Sequence, residues 1–311
     1  MTGSVELAAP TGRRQCWLAP LLRGMTWLLF RSFFQPRLSA QVQRRLLRLF
    51  TRITPVSPGV RIEPGELAGV SCEWLRPAQD NGWVLLYLHG GAFIVGAPQT
   101  HRSLTSYLAR HGNLAVCALD YRLAPEQPFP AARDDALAAY RALLAQGQPA
   151  ERIVIAGDSA GGNLCLVTAL HLRELGLPLP AALVCFSPLT DVSGATLHQP
   201  AAGDPLLDEA WLEQGIGAYC PAGMDRRDPA VSPLYADLQG LPPLLVQVGE
   251  DEILLRQSQL LAEHALAAGV DCELELYRRQ WHVFQINCGL LPSADQALQR
   301  VLGFLRQRGC P

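Results

Sequence analysis

Charged residues make up only 17% of this 311-residue chain against 49% hydrophobic ones, and the formal net charge is −2. A chain so poor in charge has apolar side chains enough for a substantial core, which excludes disorder. Arginines form no run, so nothing recommends nucleic acid as a partner. No C-x-x-C pair occurs, and the nine cysteines mostly fall in apolar stretches. An odd number so placed reads as reduced packing residues in a cytoplasmic protein. There is no H-E-x-x-H and no Cys/His spacing of the zinc type, and we expect neither metal nor cofactor. Long apolar runs are missing too. The N-terminal stretch GRRQCWLAPLLRGMTWLLFRSFF is interrupted by Arg23 and Arg31, well short of the ~20 apolar residues a bilayer span needs. No integral membrane span is therefore expected. With no clear cleavage site behind it, the stretch reads as an amphipathic helix docked on the protein, loose membrane contact being the minor alternative.

What is present has a simple order. Residues 1–55 read as a helical segment, closed by Pro55, Pro58 and Gly59, and residues 56–311 as an α/β domain. Strand-like runs stand at 70–76, 83–90, 114–122, 152–159, 182–188, 244–249 and 272–278, with helical patterns at 100–111, 134–146, 160–175, 256–268 and 294–308. Near-continuous apolar strands alternating with helices imply a mostly parallel sheet covered on both faces. The interval 190–228, with one helix around LLDEAWLEQGIGAY, reads as an insertion over one edge of the sheet. In such sheets ligands bind beyond the carboxyl ends of the strands.

One strand ends in RIVIAGDSAGGN, where Ser159 is flanked by Gly157 and Gly161. The pattern G-x-S-x-G between a strand and a helix is the context of a nucleophilic serine on a sharp turn. A phosphate cradle would instead need G-x-x-x-x-G-K-[ST] or G-x-G-x-x-G, and neither is nearby. A serine needs a base. Of the histidines that follow it, His171 and His264 lie within helical patterns and His198 within the insertion, while His282 directly follows a strand. His282 is therefore the expected base. The third member must be a carboxylate at another strand end, and LLVQVGEDEILL supplies Glu250, Asp251 and Glu252. Asp251, at the centre of that turn, is the expected acid, with Glu252 reading as a helix cap. The developing oxyanion needs N–H donors. Those expected come from the turn YLHGGAF, at Gly90, Gly91 and Ala92, and from Ala160 behind the serine.

Together HGGAF, DYRLAPEQPFPAA, GDSAGGN, VGEDEILL and WHVFQ resemble the bacterial hormone-sensitive-lipase-like family of α/β-hydrolases, from about residue 70 to the end. That resemblance implies an α/β-hydrolase fold with a two-part helical cap, built from the N-terminal segment and the 190–228 insertion. It implies a serine carboxylesterase acting on short- to medium-chain esters. Carried over by position, the triad is Ser159, Asp251 and His282, with donors at Gly91, Ala92 and Ala160. Two positions depart from the family pattern: Ala92 replaces the third glycine of HGGG, and the acid motif D-P-L-x-D-E is not reproduced. The residues leave open a lactone hydrolase or small-molecule deacetylase with the same triad, a non-catalytic receptor on the same fold, and a homodimer. DYRLAPE reads as a turn beside the pocket, with no catalytic role.

Overall fold

The structure, a computed structural model, describes residues 3–311, with Ile53 described by its backbone alone. Nine strands form one sheet: β1 (Ser4–Leu7), β2 (Arg61–Leu67), β3 (Val70–Arg76), β4 (Val84–Leu88), β5 (Ala115–Leu119), β6 (Ile153–Asp158), β7 (Ala182–Phe186), β8 (Leu244–Asp251) and β9 (Cys272–Trp281). Their order is β1-β9-β8-β7-β6-β4-β5-β3-β2. All neighbours are parallel except β2 with β3 and β3 with β5. The two outermost strands go beyond the seven expected. β1 lies in a segment read as wholly helical, yet it pairs with β9 from Ser4 opposite Leu274 to Leu7 opposite Tyr277. Four residues carry too little pattern to announce a strand; the partner's open edge makes it one. β2 contains Pro64 and Gly65, which punctuate loops, but an edge strand tolerates a proline whose missing N–H would face solvent.

The period of two in the central strands explains why helices must cover both faces. Val84, Leu86 and Leu88 of β4 enter one core, as do Ile153 and Ile155 of β6. Leu85 and Tyr87 enter the other, with Val154 and Ala156. The helices are α1 (Arg13–Phe33), α2 (Ala40–Phe50), α3 (Arg102–Gly112), α4 (Ala131–Ala145), α5 (Ala160–Glu174), α6 (Glu209–Tyr219), α7 (Leu255–Ala267) and α8 (Pro292–Arg306). Side chains of α4, α5 and α7 fill the first core, and those of α3 and α8 the second.

The cap is assembled from sequence-distant pieces. Ser39 caps α2 by accepting the Val42 N–H, and Asp208 caps α6 by accepting those of Ala210 and Trp211. The Trp211 indole N–H donates to Gln43 Oε1 at 2.6 Å, and the Gln43 amide donates to Leu38 O and Gln214 Oε1. Phe34 meets the edge of Trp211 at 6.2 Å. A fully buried glutamine satisfied at both ends thus joins the N-terminal segment to the insertion. Among the described residues, no helix is long and apolar enough to cross a membrane.

Candidate active site

Ser159 sits between β6 and α5 with φ 53° and ψ −117°, a strained conformation that costs about 1–3 kcal/mol. Its backbone holds it there: the N–H donates to Phe186 O, and its carbonyl accepts the N–H groups of Asn163 and Leu189. The crossing of strand and helix leaves no room at Gly161, where a Cβ would stand 1.9 Å from Leu88 O. The glycine spacing in the sequence therefore records a close approach of two backbones.

His282 follows the last residue of β9 and is 1% exposed. Its Nδ1 lies 3.3 Å from Glu252 Oε1. The structure thus brings Glu252 to the histidine, and the expectation for Asp251 is corrected. Asp251 ends β8 and faces the other way, accepting from Arg23 Nη1 of α1 at 2.9 Å. Glu252 is fully buried, and its other oxygen accepts the Gly249 N–H at 2.9 Å and the Ser187 hydroxyl at 2.7 Å. Ser187 Oγ in turn accepts the Val283 N–H. Ser187, just after β7 with φ 47°, belongs to this network and was not singled out in the sequence reading. Motif register was the available signal for Glu252: placing Leu254 on the leucine of D-P-L puts Glu252 on its aspartate.

The balance of charge around His282 favours its protonated form. Burial pulls its pKa down, but the Glu252 hydrogen bond and the charges of Glu252, Asp204 and Asp158 outweigh it, leaving the pKa above the usual value. Asp204 comes from the insertion, and its Oδ2 accepts the Ile253 N–H. Arg23 also donates to the carbonyls of Ala202 and Gly203. Both cap pieces therefore clasp the turn that carries Glu252.

Opposite the serine lies the turn His89-Gly90-Gly91-Ala92. Gly91 has φ +125°, and a Cβ there would fall 2.3 Å from Val95 O, so only glycine fits. Gly90 is corrected as an oxyanion donor, because its N–H donates to Asp158 Oδ1 at 2.9 Å. Asp158 also accepts the Tyr87 hydroxyl, and its second oxygen lies 3.3 Å from His101 Nε2. This buried network ties the residue before Ser159 to the glycine turn at Gly90. Ala160 opens α5, where the first N–H groups have no partner inside the helix. Ala92 is buried, and its carbonyl lies so near α6 that a Cβ at Gly215 would stand 2.5 Å from it. From DYRLAPE, the Tyr121 hydroxyl donates to His89 O and braces the turn. Glu126 takes a two-pronged bond from Arg44 of α2, which holds its carboxyl down at about 2.

Ser159, His282 and Gly91 open into one cavity of about 350 Å3, walled by Phe30, Phe34 and Trp211 of the cap. Among the described residues, no group of three or more His, Cys, Asp or Glu side chains is arranged to hold a metal ion.

Comparison with known proteins agrees with this geometry. The family model described as alpha/beta hydrolase fold matches residues 85–286. An acetyl-hydrolase from Streptomyces hygroscopicus is 45% identical over 250 residues, covering 79% of this chain and 83% of that protein. An esterase from Acinetobacter venetianus is 39% identical over 272 residues, covering 87% and 90%. The crystal structure of an esterase from the bacterial hormone-sensitive lipase family superposes with a TM-score of 0.87 at 40% identity, covering 93% of this chain and 97% of that one. With a family match over most of the sheet and relatives this similar along most of their length, the chain belongs to the α/β-hydrolase-fold family, in its bacterial hormone-sensitive-lipase-like branch.

Proposed function

We propose that this carboxylic ester hydrolase cleaves short- to medium-chain esters through an acyl-enzyme, with Ser159 as nucleophile, His282 as base and Glu252 as acid. The observation that carries the assignment is the convergence in one cavity of a strained, glycine-flanked serine and a histidine held by a buried carboxylate. In this mechanism His282 takes the Ser159 proton as Oγ attacks the ester carbonyl. Glu252 fixes the imidazole tautomer and stabilises the imidazolium. The oxyanion is met by the N–H groups of Gly91, Ala92 and Ala160 at the positive end of α5. His282 then protonates the leaving alcohol, and water repeats the sequence on the acyl-enzyme. The non-catalytic receptor is disfavoured because no member of the constellation is missing.

Substrate size follows from the cavity. About 350 Å3 lies toward the small end of the roughly 300–1,000 Å3 typical of ligand pockets. Each buried methylene adds ~0.8 kcal/mol until the walls are reached. On p-nitrophenyl esters kcat/KM is expected to peak at acyl chains of roughly four to eight carbons, measured in a chain-length series. A maximum at long chains, with a jump when substrate forms droplets, would overturn the short-chain reading. Including lactones and N-acetylated and O-acetylated small molecules in the series tests the second reading, which the naming of one relative as an acetyl-hydrolase favours.

The raised pKa of His282 has a direct kinetic consequence. The base must be neutral, so kcat/KM should rise with pH through a midpoint above the ordinary ~6.5 of histidine. A pH–rate profile on a soluble ester reads this midpoint; a flat profile across neutral pH would argue against histidine as the base. Nine free thiols, eight of them buried, support placing the protein in the reducing cytoplasm.

A further inference from the structure

Helix α1 carries apolar residues on all sides, yet Gln15 is its only fully buried side chain. A helix of that composition is expected to be covered on both faces. Its inner face is turned to the protein: Ala19, Leu22, Phe30 and Phe33 pack against the cores, and Thr26 and Leu29 line the catalytic cavity. Its outer face is bare: Trp17, Leu21 and Leu28, at helical spacing, are 79%, 56% and 60% exposed. On α2, the other cap helix over the cavity, Val42 and Leu49 are also exposed.

The charge of the surrounding sequence is one-sided, although Arg23, Arg31 and Arg44 pair with acids from elsewhere in the chain. Residues 7–62 contain ten arginines and no aspartate or glutamate, whereas the rest of the chain carries all 28 acidic residues against the remaining 16 of the 26 basic ones. Among the described residues, Arg13, Arg37, Arg45 and Arg52 of this segment are exposed and form no ion pair.

We propose that the outer face of the cap is a docking surface for an anionic lipid bilayer, with Trp17, Leu21 and Leu28 entering the headgroup boundary and the arginines meeting lipid phosphates. Tryptophan beside arginine on a surface helix suits that boundary, where one side of the contact is apolar and the other charged. A second copy suits it poorly. A symmetric pairing brings the same patch against itself, so two acid-free, arginine-rich segments would repel. Docking there sets the cavity, whose wall is the inner face of the same helix, close to the source of acyl substrates.

The test is co-sedimentation of the full chain with phosphatidylcholine vesicles, with and without phosphatidylglycerol. Its readout is binding, so it is independent of the esterase assignment. We expect partition into the phosphatidylglycerol vesicles that weakens as salt shortens the screening length. Trp17→Ser/Leu21→Ser/Leu28→Ser should reduce that partition ~10-fold or more, with hydrolysis of a soluble ester unchanged. Arg13→Gln/Arg37→Gln/Arg45→Gln should weaken binding to the anionic vesicles alone. Equal partition into phosphatidylcholine, or none into either, would overturn the proposal. So would a dimer that the apolar triple variant dissociates without any change in vesicle binding, which would assign the face to a second copy.

Discussion

Ser159→Ala is expected to lower kcat by ~10^5–10^6-fold, leaving the residual catalysis of the oxyanion site and binding alone. The size of the effect follows from the loss of the acyl-enzyme route, because no other hydroxyl stands on the turn between β6 and α5. The variant should nevertheless fold. The contacts that hold the turn are the backbone N–H and carbonyl of residue 159, and alanine keeps both at the same strained φ. An organophosphonate probe should label the wild type at Ser159 and leave the variant unlabelled, with the melting temperature little changed. Labelling that survives the substitution would put the nucleophile elsewhere.

Glu252→Gln is expected to cost ~10^3–10^4-fold in kcat, as neutralising the acid does in a triad of this kind. Two effects combine. The amide cannot balance the imidazolium, and its NH2 group must turn toward either His282 or the pair of donors, Gly249 N–H and Ser187 Oγ–H, that the carboxylate now accepts. A buried donor facing donors leaves polar groups unsatisfied. Removing the charge should also move the midpoint of the pH–rate profile downward, since Glu252 is the chief group opposing the effect of burial on His282. Asp251→Asn should cost less than ~10-fold, because a partly exposed ion pair to Arg23 contributes little and acts on the reaction only through the turn. Reversed magnitudes would restore Asp251 as the acid.

The contrast between these two neighbours marks where sequence reasoning stops. The meeting of Ser159 and His282 in one cavity was legible because each is signalled locally: the serine by glycines at a backbone crossing, the histidine by the strand before it. Gly91 was legible for the same reason, as a position that tolerates no Cβ. Gly90 was not separable from it, since its N–H is consumed by Asp158, a side chain 68 residues away.

The near-continuous apolar runs of β4 and β6 by themselves determined a sheet buried on both faces, and hence the strand ends where a site must lie. They could not decide the outer strands. β1 exists because the edge of β9 is open to it, and a backbone edge has no sequence signature. Nor could they rank three consecutive acids. Glu250 accepts the Arg279 N–H, Asp251 pairs with Arg23, and Glu252 reaches His282. Successive side chains near a strand end point to opposite sides, so these carboxylates meet partners that differ in sequence distance and in element. All three are alike to a reader of the chain. Which one faces the histidine is decided by the turn after β8, clasped from Arg23 on one side and Asp204 on the other.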